Sequence, residues 1–423
     1  MATVPAGAAP ALSPSSATRP QPGGTSALRT IRVGLVGCGA FARFSMAQYR
    51  RLPGVIIGAV ADVDPAAARR AADELRSEPR APEAVLAAAD IDLVDSATPP
   101  ALPHAQAAAA LRAGKHALVE KPLATTLADA EDLESLAVRS GLVCVANLVE
   151  RYNPLAHAVH RIIESRILGG LIHGLFVNEA ADEGLGRGHW FWDRAASGGI
   201  FVEHGVHFFD LVASWLGAGT VVAAARSLRP TDHGAADGHA VEEQVCCTCR
   251  YRMNHHGGPA RVPRPDATAD RHAGVLFHYE HGFHQPSRLD RQELRLVFER
   301  GEVRLYDWVP THGEVRALVD DDAAASLAAM LPRAALRTVD RYAAAARRIR
   351  GRFRDFEAAE LVAIDFSLGL EKLQIYGEVV HDLAADQLAR IRDPNHIRRL
   401  TETDSVAAVA LACEADRLAL AAG

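Results

Sequence analysis

Ile31-Arg32-Val33-Gly34-Leu35-Val36-Gly37-Cys38-Gly39-Ala40-Phe41-Ala42 reads as a buried strand, a tight turn and the start of a helix. Ile31 to Val36 is nearly all apolar and β-branched, as a parallel strand covered on both faces requires. Gly37, Gly39 and Ala42 then form G-x-G-x-x-A. Gly37 permits the sharp turn, and Gly39 leaves room for a pyrophosphate to approach the backbone. Ala42 lets the helix lie close on the strand, and the free N–H groups at the helix start face the phosphates. The triplet follows a strand and opens the helical pattern Phe41–Leu52, which is the context that gives it meaning. Asp62 ends the next strand, Val55–Ala61. Its spacing from the glycines slightly exceeds the usual ~20 residues but suits a carboxylate that accepts from ribose hydroxyls. The stretch predicts dinucleotide binding, with NAD favoured over NADP because Asp62 would repel a 2′-phosphate.

The remaining bulk properties narrow the class. A chain of 423 residues suggests two domains or one large one. The net charge of −6, with both signs interspersed, argues against a nucleic-acid footprint or a polybasic membrane surface. Six cysteines show no framework spacing, and no secretory pattern is present, so reduced thiols and a cytoplasmic location are expected. No apolar run reaches the ~18 residues of a membrane span. Residues 1–28 are rich in Ala, Pro, Ser, Thr and Gly and are expected to be a disordered tail.

From Thr30 strands and helices alternate, which predicts a doubly wound parallel sheet over residues 29–150. Strands are expected at Asp92–Ala97, His116–Val119 and Leu142–Ala146, and helices from Pro65, over Ala101–Ala113 and over Leu127–Arg139. Ser77–Asp90 holds either a very short strand or none. The order then changes. Over 151–370 a second α/β domain with a large, mostly antiparallel sheet is expected. It has helices at Pro154–Ile167 and Gly198–Leu216 and strands near Leu171–Asn178, Thr220–Arg226, Val241–Arg252, Ala273–Glu280, Glu293–Phe298 and Glu302–Tyr306. His255–Arg271 reads as a loop. Ala334–Arg352 carries a basic, Ala-rich helical pattern. C-terminal helices follow within 371–423, at Gln374–Arg392 and Asp404–Leu420.

Three stretches carry chemistry. Val119-Glu120-Lys121-Pro122 lies at the C-terminal end of a parallel strand, the edge where ligands sit in open α/β sheets. Lys121 could polarise a substrate oxygen there, the alternative being an ordinary solvated loop lysine. Ser96-Ala97-Thr98-Pro99-Pro100 ends another strand at the same edge. Thr98 and Pro99 could touch the dinucleotide, and His104 either joins them or is a plain helix-start residue. Gly198-Gly199-Ile200-Phe201-Val202-Glu203-His204-Gly205-Val206-His207-Phe208-Phe209-Asp210 is the third. If it is helical, Glu203 and His207 share a face, and a histidine beside a carboxylate suits proton transfer to or from an alcohol. The alternative is a satisfied core histidine. Cys246-Cys247-Thr248-Cys249 with His278, His281 and His284 lacks a matched second ligand pair, so no metal is expected.

On the Gly37–Ala42 turn, Thr98-Pro99, Glu120-Lys121-Pro122 and the Gly198-Gly199…His207…Asp210 helix, the sequence resembles the Gfo/Idh/MocA oxidoreductase family. The resemblance covers Thr30 to Tyr306 well and the C-terminal helices loosely. It implies an NAD(P)-binding Rossmann domain (Gly37, Gly39, Phe41, Ala42, Asp62, Thr98, Pro99, His104, Glu120 and Lys121 lining the cofactor) and a second domain whose sheet makes homo-oligomer contacts. It also implies hydride transfer at a hydroxyl-bearing carbon of a sugar, cyclitol or related polyol. Lys121 then corresponds to the lysine that holds the reacting hydroxyl, His207 to the histidine acid/base, and Glu203 to a position usually held by aspartate. Relatives that keep NAD for elimination or hydrolysis, and non-catalytic sensors, are the alternatives. Arg151-Tyr152-Asn153-Pro154 resembles the turn that leaves the Rossmann domain. The loop Arg187–Asp193 precedes the glycines and is expected to line the substrate pocket.

Overall fold

The computed structural model describes residues 28–182, 184–186, 188–229, 241–252, 274–320, 322–352 and 354–422. The expected tail and the expected loop His255–Arg271 lie outside these, apart from Leu28. The first sheet has six parallel strands in the order β3-β2-β1-β4-β5-β6. They are β1 Ile31–Val36, β2 Val55–Ala61, β3 Glu78–Pro79, β4 Leu93–Ser96, β5 His116–Val119 and β6 Cys144–Ala146. The uncertain segment Ser77–Asp90 therefore does hold a strand, of two residues, paired in parallel with β2. Helices α1 Ala40–Tyr49, α2 Pro65–Leu75, α3 Pro82–Ala87, α4 Pro103–Arg112 and α5 Leu127–Ser140 link the strands. Local chemistry sets their ends. The side chain of Asp64 caps α2 ahead of Pro65, and that of Thr126 caps α5, which stops at Gly141 in the left-handed conformation.

The second sheet has nine strands in the order β14-β17-β13-β12-β11-β7-β10-β9-β8. These are β7 Leu171–Glu179, β8 Gly219–Leu228, β9 Glu242–Tyr251, β10 Val275–Gly282, β11 Arg291–Phe298, β12 Gly301–Tyr306, β13 His312–Val319, β14 Ala335–Arg341 and β17 Glu360–Ser367. Only β7 and β10 pair in parallel. A small hairpin, β15 Arg348–Arg350 with β16 Asp355–Glu357, stands apart. Alternate residues such as Leu294, Leu296, Val303 and Leu305 are buried, while Arg295 and Arg304 between them stay only partly so. That is the pattern of an antiparallel sheet with one face on the core. Helices α6 Pro154–Ser165, α7 Arg194–Ser197 and α8 Val206–Leu216 follow the parallel sheet, and α9 Ala323–Ala329 precedes β14. Phe208 of α8 stacks on Phe176 of β7, and Phe209 meets Tyr279 of β10 edge-on.

The helical expectation for Ala334–Arg352 is wrong. Ala335–Arg341 is an edge strand, paired antiparallel with the Val- and Ile-rich β17. Arg341 and Thr338 bind Glu360 across it. The open edge of β17 offers main-chain partners that outweigh the helix propensity of alanine. The C-terminal helices α10 Lys372–Arg392 and α11 Glu402–Ala421 belong to the fold. Tyr376 of α10 packs on Phe41 and Phe44 of α1. At the N-terminus of α11, Glu402 accepts from the N–H of Cys144 and Ser405 from that of Ala146. Two side chains thus satisfy the outer edge of β6, where a further strand would otherwise be needed.

Candidate active site

Gly37 has φ +93°, and a Cβ there would meet the carbonyl oxygen of Ala97 at 2.3 Å. The turn therefore demands glycine on two counts. Gly39 is the N-cap of α1, whose first N–H groups have no side-chain cap, and the space where its Cβ would lie is open. Ala42 is buried where α1 lies on the sheet. Asp62 sits at the end of β2, where its carboxylate accepts from the N–H of Cys38 at 2.8 Å and of Asp64 at 2.9 Å. Open backbone N–H donors at a helix start, with a carboxylate acceptor beside them, are the groups a dinucleotide's phosphates and ribose need.

The turn after β5 brings the second stretch to the same edge. The Lys121–Pro122 peptide is cis. The ammonium of Lys121 donates to Glu203 twice, to Oε1 at 2.5 Å and to the main-chain oxygen at 2.9 Å. Glu203 lies on a π turn, Phe201–Gly205, that runs directly into α8. Such widened turns recur at functional sites because they re-aim side chains. His207, four residues beyond Glu203, is buried, and its Nδ1 has no hydrogen-bond partner among the described residues. Burial, and then the Lys121 charge, hold its imidazole well below the ordinary value, so it is a neutral base. Glu203, His207 and Lys121 are thus brought together as expected. Asp210 is not part of this group, because Arg151 takes both its oxygens, each at 2.6 Å.

Other expected cofactor residues already have protein partners. Glu120 is buried and accepts from Asn147 at 2.7 Å. Desolvation and the nearby Asp95 push its carboxyl up to about 8. Asp95 is itself pushed up to about 7 by burial, against a hydrogen bond from Tyr49. The hydroxyls of Thr98 and Ser96 both bind Gln106, leaving the Thr98 backbone at the strand end. Pro99 is exposed beside it. His104 faces α5, 3.1 Å from Asp132. Phe41 packs on Tyr376.

Three groups with buried polar atoms were not assigned to the site from the sequence. Among the described residues, His204 on the π turn has a buried Nε2 without a partner, and His281 at the end of β10 lacks partners for both ring nitrogens. Leaving such atoms unsatisfied costs roughly 1–3 kcal/mol each. The third is Glu150, in the 3-10 turn after β6, where neither carboxylate oxygen has a partner among the described residues. Burial pushes Glu150 up to about 8, against the charge of Lys372. Between the unfolded value of 4.5 and about 8 the folded state keeps the proton while the unfolded chain has lost it. Stability therefore falls as pH rises through that window. Glu150→Gln is expected to leave stability nearly unchanged at about pH 5 and to raise it by roughly 2–5 kcal/mol at about pH 9. Urea unfolding of both proteins at the two pH values checks this.

No group of three or more His, Cys, Asp or Glu that could hold a metal ion occurs among the described residues. Cys247 and Cys249 are buried on one face of β9, with Cys246 exposed on the other.

Residues 31–148 match the oxidoreductase family with an NAD-binding Rossmann fold, and residues 157–303 match the GFO/IDH/MocA C-terminal domain. The chain belongs to the Gfo/Idh/MocA oxidoreductase family. Its Rossmann domain is NAD-binding, and the turn at Gly37 and Gly39 fits that cofactor. Among curated relatives, a glycosyl hydrolase family 109 protein of Shewanella amazonensis is 30% identical over 195 residues, 42% of this chain and 43% of that protein. The D-apiose dehydrogenase of Paraburkholderia graminis is 30% identical over 207 residues, 48% of this chain and 54% of that enzyme. The chain thus spans about half the length of these relatives. A levoglucosan dehydrogenase solved with NADH and levoglucosan superposes with TM-score 0.70 at 17% identity, covering 93% of this chain and 98% of that one. A biliverdin reductase of Synechocystis sp. PCC 6803, solved with biliverdin and NADP+, superposes at TM-score 0.62 and 16% identity, covering 92% and 98%. Fold likeness at this identity extends to unrelated substrates, so the site itself must argue for the chemistry.

Proposed function

We propose that the protein is an NAD-dependent dehydrogenase acting on a CH–OH group of a sugar, cyclitol or related polyol. The observation that carries this reading is the Lys121 ammonium clasped by Glu203 at the ligand-binding edge of the sheet, with the neutral His207 four residues on from Glu203. The names of the dehydrogenase relatives support it. NAD held at the Gly37–Ala42 turn supplies the hydride acceptor. Gly37, Gly39, Ala42 and the backbone of Thr98 and Pro99 shape its seat, and Asp62 accepts from the ribose hydroxyls. As the substrate's hydroxyl becomes a carbonyl, Lys121 holds the oxygen and His207 takes the proton at a ring nitrogen. Glu203 fixes the lysine and keeps the pair neutral in a buried site. We also propose a homo-oligomer in the cytoplasm. The exposed apolar residues Val222 and Leu228 of β8, and Leu336 and Val339 of β14, support assembly along the outer strands of the sheet. No helix of the described residues is long and apolar enough to cross a membrane.

A neutral His207 gives a pH signature. Because its imidazole titrates well below 6.5, kcat/KM for oxidation should stay flat between about pH 8 and 6.5 and fall only in more acid solution. A profile that halves at the ordinary imidazole pKa would show that burial and Lys121 do not hold His207 below it. The direct test is NADH formation from NAD with a panel of cyclitols, aldoses and amino sugars. The reading expects NADH with one compound class.

The glycosyl hydrolase family 109 relatives favour a second reading, in which NAD stays bound and transient oxidation drives cleavage. That enzyme would release an aglycone without net NADH.

A further inference from the structure

We propose that His204, backed by His281, is a substrate-binding residue that recognises a second hydroxyl next to the reacting one. This deepens the reading given under the proposed function and rests on it. His204 precedes His207 by three residues, which places both on one face of the turn-and-helix, with ring centres 6.4 Å apart. Lys121 binds the main-chain oxygen of Glu203, the residue immediately before His204. The His204 ring therefore lies beside that of His207, one turn from the residue that holds Lys121.

The surroundings state what kind of group it awaits. His204 meets His281 edge-on at 5.3 Å and packs against Phe208 and Phe283 at 5.5 and 5.4 Å. Phe283 in turn touches Phe191 of the expected pocket loop at 5.0 Å. No carboxylate forms an ion pair with His204 among the described residues. Burial and the charges of His281, Lys121 and His207 all oppose its protonation. A neutral imidazole presents one donor and one acceptor, which is the complement of a hydroxyl. A carboxylate or phosphate would call for donors alone. Four buried ring nitrogens, on His204, His207 and His281, have no hydrogen-bond partner among the described residues, and a hydroxyl can satisfy such a nitrogen as donor or acceptor.

The test compares paired probes: myo-inositol, levoglucosan, D-apiose and D-glucose, each with a monodeoxy analogue lacking one hydroxyl. For the probe that is oxidised, the wild type should prefer the diol by at least about tenfold in kcat/KM. His204→Leu should bring that preference below about threefold, chiefly through KM, while His204→Gln, which keeps a donor and an acceptor, should retain most of it. Nitrogen-15 spectra of the NADH-bound protein give a readout free of turnover, since the diol but not its analogue should shift the His204 ring signals. If a probe is oxidised but His204→Leu slows both members of the pair equally and the ring signals do not move, the assignment falls and the dehydrogenase reading stands. If no probe is oxidised yet a diol moves the His204 signals, the dehydrogenase reading falls and the binding assignment stands. If none does either, both fall.

Discussion

Lys121→Ala is expected to lower turnover by about 10³-fold while leaving NAD affinity within roughly threefold. The asymmetry follows from where the side chain spends its bonds. Its ammonium touches Glu203 and the main-chain oxygen of the same residue, not the glycine turn. The seat for the pyrophosphate is made by Gly37, Gly39 and the start of α1, which the substitution leaves in place. What is lost is the positive group beside the oxygen that gains charge as the hydroxyl proton leaves. Truncation also strands the buried Glu203 carboxylate without its cation, so a modest loss of stability accompanies it. Steady-state kinetics and calorimetry with NAD check the two halves. Loss of NAD binding to the same degree as turnover would assign Lys121 to the cofactor instead. Lys121→Arg should rescue little, because a planar guanidinium cannot reproduce a compact ammonium between two acceptors of one residue.

Arg151→Met is expected to cost roughly 3–5 kcal/mol of stability. Arg151 binds both oxygens of Asp210 and reaches Asp404 at 3.1 Å and the main-chain oxygen of Arg399 at 2.8 Å. It therefore ties the turn after the parallel sheet to α8 and to the start of α11. The side chain of Asp210 is fully buried. Desolvation already lifts its carboxyl to about 6 against the pull of Arg151. Removing the arginine leaves that carboxylate buried without a counter-charge, which is the costly half of a broken pair. Adding Asp210→Leu should recover much of the loss, because an apolar pair of similar volume avoids the desolvation penalty. Urea unfolding of the single and double variants separates the two terms. Since α8 carries His207, the single variant should also slow turnover before it unfolds.

The parts of this fold that the sequence made legible are those decided locally. Gly37 and Gly39 sit within a strand–turn–helix whose geometry needs no distant partner. Asp64, Thr126 and Gly141 mark helix ends by their own hydrogen bonds and dihedral angles. Strand alternation is equally local, and it sets Cys247 and Cys249 on one face of β9. The strand at Ala335–Arg341 was hidden because its conformation is set by the free edge of β17, twenty-odd residues on, and not by its own alanines. The site was half legible. Lys121 and Glu203 are 82 residues apart, and only the folded chain, which brings the turn after β5 to the π turn before α8, makes them a pair. The spacing of Glu203 and His207 was visible. The pairing of Asp210 with Arg151, the partnerless ring of His281 and the buried Glu150 were not, because burial and partners are properties of the folded surroundings.

In the proposed function, Lys121 and His207 serve a hydride transfer from a hydroxyl-bearing carbon to NAD. The most direct measurement is the mass of the cofactor after incubation with a polyol substrate deuterated at the reacting carbon. Reduced cofactor carrying one deuterium is expected, in equal amount to the carbonyl product, with Lys121→Ala forming both about 10³-fold more slowly. Substrate consumed while the cofactor remains oxidised and unlabelled would contradict it.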